Sequence, residues 1–73
     1  MTTVSGLPLL TVNGDPLELA DTTTIGGLLS RLGVRPQAVV VELNGVIHRR
    51  GEGLAEPLAA GDVVEIVQFV GGG

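Results

Sequence analysis

Two Asn-Gly dipeptides, Asn13-Gly14 and Asn44-Gly45, constrain this chain more than any other feature. Asn-Gly between alternating apolar residues is a strong short-range hairpin signal, because a type I′ turn needs positive φ at both central positions. Leu9-Leu10-Thr11-Val12 precedes the first turn, and a return strand starts at Pro16 or Leu17 and reaches Leu19. Leu17 and Leu19 alternate with Glu18, so the leucines face inward, with Leu10 and Val12 as their partners. Ala38 to Leu43 precedes the second turn and Val46-Ile47-His48 follows it. Glu42 belongs in water, which turns Val39, Val41 and Leu43 inward and Val40 outward.

One helix is predicted between the hairpins. Asp21-Thr22-Thr23-Thr24 is rich in N-cap residues; Thr23 is the expected cap, with the helix ending at Leu32. Ile25, Leu28, Leu29 and Leu32 form one apolar stripe at helical spacing. Gly33 supplies a left-handed stop and Pro36 lies just beyond it. Gly26 and Gly27 fit poorly inside a helix, at about 1 kcal/mol each relative to Ala. Close packing against the sheet or tolerated weakness would account for them.

The remainder of the chain leads to a last strand. Arg49 to Glu56 reads as irregular, Glu56-Pro57-Leu58 as a single turn and Ala60-Gly61-Asp62 as a tight turn. The last strand then runs from Val63 to Val70 and ends in Gly71-Gly72-Gly73. Val64 and Ile66 should point at the helix; Glu65, Val67 and Phe69 should point away from it. Hairpin, helix, hairpin and strand must bury one apolar stripe together, so the expected fold is α+β, a mixed sheet rolled around the helix. With 73 residues there is room for a single domain, 1–70, with 1–8 as a loose leader and 71–73 as a flexible glycine tail.

Composition removes most chemistries. The chain has no Cys, which excludes disulfides, thiolate metal sites and a thiol nucleophile. It has no Lys; its positive charges are Arg31, Arg35, Arg49 and Arg50. One Phe and no Trp or Tyr leave no platform for stacked bases. A net charge of −4 disfavours nucleic acid and anionic membrane. No signal peptide and no apolar run of about 20 residues is evident, so a soluble, cytoplasmic protein is expected. His48 lacks a Ser, Cys or acidic partner at a suggestive spacing and reads as a plain strand residue. No pair of carboxylates is spaced for a metal or for acid–base work. Arg49-Arg50 beside Glu52 reads as a solvated loop, with contact to an acidic partner or phosphate as the sharper alternative. The two Asn-Gly pairs need no role beyond turning the chain.

Several of these stretches together resemble a known family. They are Thr11-Val12-Asn13-Gly14, Thr24-Ile25 to Leu32-Gly33, Val41-Glu42-Leu43-Asn44-Gly45, Pro57-Leu58, Gly61-Asp62-Val63-Val64-Glu65-Ile66-Val67 and the terminal glycines. A chain this short that carries them is similar to the β-grasp, ubiquitin-like sulfur carriers, in particular those of thiamine (thiazole) biosynthesis. That pattern ends in Gly-Gly; here there are three glycines.

The resemblance implies a β-grasp roll of about five strands, with the last strand between the first and third. It also implies a cycle. An E1-like adenylating enzyme uses ATP and Mg²⁺ to turn the carboxylate of Gly73 into an acyl-adenylate. Sulfur from a persulfide donor replaces AMP and leaves a thiocarboxylate, and thiazole synthase accepts the sulfur. The carrier is then a co-substrate with no catalytic residue, bound metal or cofactor of its own. Gly71 and Gly72 would thread into the partner, since three extended residues reach about 10 Å and glycine lets backbone approach other surfaces closely. Phe69, Val67 and Val40 would form the partner interface. Rival readings are the small subunit of molybdopterin synthase, a carrier for another sulfur metabolite, a ubiquitin-like modifier joined to lysine, and an interaction domain with an inert tail.

Overall fold

The computed structural model describes residues 8–19 and 24–69. Strand β1 (Leu9–Val12) and strand β2 (Asp15–Glu18) form the first hairpin, and helix α1 (Ile25–Leu32) follows. A 3-10 turn over Pro36–Ala38 leads into β3 (Val39–Leu43), β4 (Val46–His48) and finally β5 (Val63–Gln68). The sheet order is β2-β1-β5-β3-β4, with β1 and β5 parallel and the other pairs antiparallel. This is the β-grasp arrangement expected from the resemblance, with the last strand at the centre. Among the described residues no helix is long and apolar enough to cross a membrane.

Both Asn-Gly turns have the conformation their sequence requires. Asn13 and Asn44 each have φ of 50°, followed by Gly14 at 88° and Gly45 at 90°. Leu10 pairs with Leu17 across the first hairpin. The return strand starts earlier than expected, at Asp15, and Leu19 falls just past its end. There Leu19 N–H donates to the carbonyl of Pro8, so the pairing outlasts the regular strand.

One core lies between the helix and the inner face of the sheet. Ile25, Leu28 and Leu29 pack with Leu10, Val39, Val41, Leu43, Leu58 and Val64. Leu32, expected to extend this stripe, is 41% exposed. It is the last helical residue, and Gly33 turns the chain away at φ 72°. Val34, five residues before the start of β3, packs against the core.

The helix cap differs from expectation. Thr24 is the N-cap, and its hydroxyl accepts a hydrogen bond from Gly27 N–H at 3.0 Å; Thr23 lies outside the described residues. Two further amides of the first turn are satisfied from a distance. Ile25 N–H donates to the Glu56 carbonyl at 3.0 Å and Gly26 N–H to the Leu54 carbonyl at 2.9 Å. These are donors that a helix cannot satisfy internally. The 51–56 connection therefore caps the helix, and Pro57 forms a bridge with Thr24 where a turn over Glu56-Pro57-Leu58 was expected. The turns fall earlier, over 50–55.

This contact also explains Gly26. A Cβ there would sit 3.1 Å from the Leu54 carbonyl oxygen and 3.3 Å from the Leu54 Cβ. The close approach is to the connection, not to the sheet.

Candidate functional site

The candidate site is built outward from β5. As the central strand it is bonded on both flanks, and both hairpin asparagines add to that. Asn13 Oδ1 accepts from Ile66 N–H at 2.7 Å. Asn44 Oδ1 accepts from Val63 N–H at 2.9 Å, and its Nδ2 donates to Asp62 Oδ1 at 3.0 Å. The physical need is clear on the β1 side. β1 pairs with β5 only at Thr11 and Val12, then turns away, so the Ile66 amide needs another acceptor. The asparagines thus do more than turn the chain. Sequence reasoning missed this role, because the partners lie 53 and 19 residues away.

Beyond β5, Phe69 N–H donates to the Ala38 carbonyl at 2.9 Å. The chain is held in register up to Phe69, the last described residue of this stretch. Gly71, Gly72 and Gly73, the expected threading segment and modified terminus, lie outside the described residues.

The expected interface residues do come together. Val40 and Val67 are direct cross-strand partners between β3 and β5. Val67 is 59% exposed and Phe69 47% exposed, while Val40 is half-buried beside them. All three point away from the helix, as alternation along the strands requires. One row along, Glu42 and Glu65 face each other across the same strand pair, both exposed. Ile47, 55% exposed, is the partner of Glu42 on β4. Above Phe69 lies Arg50, its guanidinium carbon 4.7 Å from the ring centroid. A guanidinium over an aromatic face is held by the ring quadrupole and keeps its N–H edge available. Arg50 read as a solvated loop residue in the sequence; nothing local ties it to a ring nineteen positions on.

His48 is accounted for by packing. Gly53 has φ of 69°, and a Cβ there would fall 2.3 Å from His48 Nδ1, so the imidazole lies against bare backbone.

The arrangement offers no nucleophile or acid–base pair among these residues. It offers an exposed, partly apolar sheet face beside the point where the chain leaves the sheet for its glycines. Comparison with known proteins agrees in fold and sequence. The ThiS family model matches residues 10–73. The crystal structure of a thiamine biosynthesis protein (ThiS) from Geobacter metallireducens is similar at TM-score 0.70 and 40% identity, over 89% of this chain and 99% of that one. A thiazole synthase from Magnetococcus marinus is 42% identical over 62 residues, or 85% of this chain. The chain spans only 19% of the length of that relative. With a family match over nearly its whole length and a matching β-grasp sheet, the chain belongs to the ThiS family.

Proposed function

We propose that this protein is a sulfur carrier of thiamine biosynthesis that bears its cargo on the carboxylate of Gly73. The observation that carries the reading is the position of the glycines. They follow the central strand of a ThiS-family fold and begin two residues after Phe69, whose amide is pinned to Ala38. A pinned strand followed by residues without side chains suits the presentation of a chain end to another protein's active site.

The chemistry follows from the reactivity of a carboxylate, which is too poor an electrophile to take up sulfur directly. The Gly73 carboxylate attacks the α-phosphorus of ATP on an E1-like adenylating enzyme that supplies Mg²⁺, and pyrophosphate leaves. The terminal sulfur of a persulfide then attacks the acyl carbon and AMP leaves. Cleavage of the S–S bond by a thiol frees the thiocarboxylate, whose sulfur passes to the acceptor. The carrier contributes binding and presentation and catalyses nothing.

Thiazole synthase is the proposed acceptor. The thiazole synthase of Magnetococcus marinus contains a stretch matching most of this chain, which favours that enzyme over a pterin-forming one. Val40, Val67 and Phe69 form the proposed docking face, and Gly71 and Gly72 the segment that enters the partner.

The test is intact mass spectrometry. The protein is incubated with its host's adenylating enzyme, ATP, Mg²⁺ and a sulfur source. The expected product is heavier by the difference between sulfur and oxygen, with the change localised to Gly73. Absence of both an AMP adduct and a sulfur adduct under full turnover conditions would rule the reading out.

A further inference from the structure

The outer sheet face carries a charge pattern that the fold itself does not use. Glu42 and Glu65 are directly opposed across the β3–β5 pair, and both are exposed. Opposed residues bring their Cβ atoms within about 5 Å, and like charges placed so are destabilising. Among the described residues neither carboxylate has a hydrogen-bond or ion-pair partner. Phe69, four residues after Glu65 and just past the end of β5, carries the opposite charge above its ring, Arg50. At about 3.3 Å per residue, Glu65 and Phe69 are about 13 Å apart along the chain. Val67 and Val40 lie between them, on the same face.

We infer that this face is read in a single orientation by the adenylating enzyme, which sets a cationic side chain against Glu42 and Glu65 and a carboxylate against Arg50. The inference rests on the carrier reading above and names the chemistry of its partner. Apolar contact at Val40 and Val67 is non-directional and would tolerate rotation of the carrier on its partner. Two opposite charges at unequal positions do not, because a reversed pose brings like charges together. The orientation matters here because the described stretch that continues β5 ends at Phe69, beside Arg50, so a reversed pose would turn that end away from the active site. A cation set between Glu42 and Glu65 would also offset the like-charge opposition across this strand pair.

The experiment compares wild type, E42Q/E65Q and R50Q in binding to the host's adenylating enzyme by calorimetry at low and high salt. Acyl-adenylate formation and thermal unfolding are followed in parallel. The expected result for E42Q/E65Q is a thermal midpoint at or above wild type together with binding weakened about tenfold or more and a flatter salt dependence. R50Q should weaken binding and slow adenylation in the same way. Loss of binding in step with loss of thermal stability would overturn the inference, as the charges would then be structural. Variants that bind and react like wild type would overturn it while leaving the carrier reading intact. A wild-type chain that forms no acyl-adenylate would overturn the carrier reading and this one together. A wild-type dimer by sedimentation that E42Q/E65Q dissociates would also overturn it, since the face would then fit a second copy of the chain.

Discussion

Gly53 and Gly26 are glycine for different reasons, and substitution separates them. Gly53 combines φ of 69° with an imidazole in the space of the missing Cβ. Gly53→Ala is expected to cost about 2 kcal/mol or more, from left-handed strain plus displacement of the ring. In a urea titration, combining it with H48A should return the steric part and leave the strain, giving a non-additive cycle. Gly26 sits in ordinary helical conformation, where Ala gains about 1 kcal/mol of propensity. Its Cβ would press on the Leu54 carbonyl that also accepts the Gly26 amide. A backbone atom held by that bond yields little, so G26A should lower the unfolding midpoint despite the better propensity. A rise in the midpoint would mean that the 51–56 connection moves freely. Asn13 offers a third residue-level test. Asn13→Gly keeps the turn's backbone freedom but loses the bond to Ile66, and should cost about 1 kcal/mol in the same titration.

At the scale of elements, the helix is the part least able to stand alone. It has eight residues, two of them glycine, whereas isolated helices shorter than about 12 residues are marginal in water. Its stability comes from Ile25, Leu28 and Leu29 against the sheet and from amides satisfied by Thr24, Leu54 and Glu56. Thr24→Ala should therefore cost about 1 kcal/mol, and Thr24→Ser much less, as read from denaturant midpoints. The strands were legible because alternation and Asn-Gly turns are local signals. Val39, Val41 and Leu43 are buried while Glu42 is exposed, as their spacing required. The 51–56 connection was not legible in the same way. Its sequence shows only turn formers, and its service to the helix depends on two carbonyls meeting amides some 30 residues earlier.

For the whole molecule, the separation of fold from function is the point to test. The core lies on one face of the sheet, and the proposed docking residues lie on the other. Val67→Ser should change stability by about 0.5 kcal/mol or less, as exposed substitutions away from the core do. It should nevertheless slow acyl-adenylate formation, measured by pyrophosphate release. Gly72→Val should abolish adenylation at an unchanged thermal midpoint, because a branched side chain would obstruct the backbone threading proposed for the glycines. If G72V were adenylated at the wild-type rate, the threading role of the glycines would be wrong.

By itself the sequence determined the two hairpins, the helix, the inward and outward faces of the first, second, third and last strands and the glycine end. All of these follow from φ preferences and side-chain periodicity within a few residues. The tertiary structure alone decided that Asn13 and Asn44 clasp the central strand, that Leu54 and Glu56 cap the helix, and that Gly26 must be bare. It alone set Glu42 against Glu65 and Arg50 over Phe69. Each of those contacts joins residues far apart in the chain, and its formation depends on strand order and register, which no local pattern encodes.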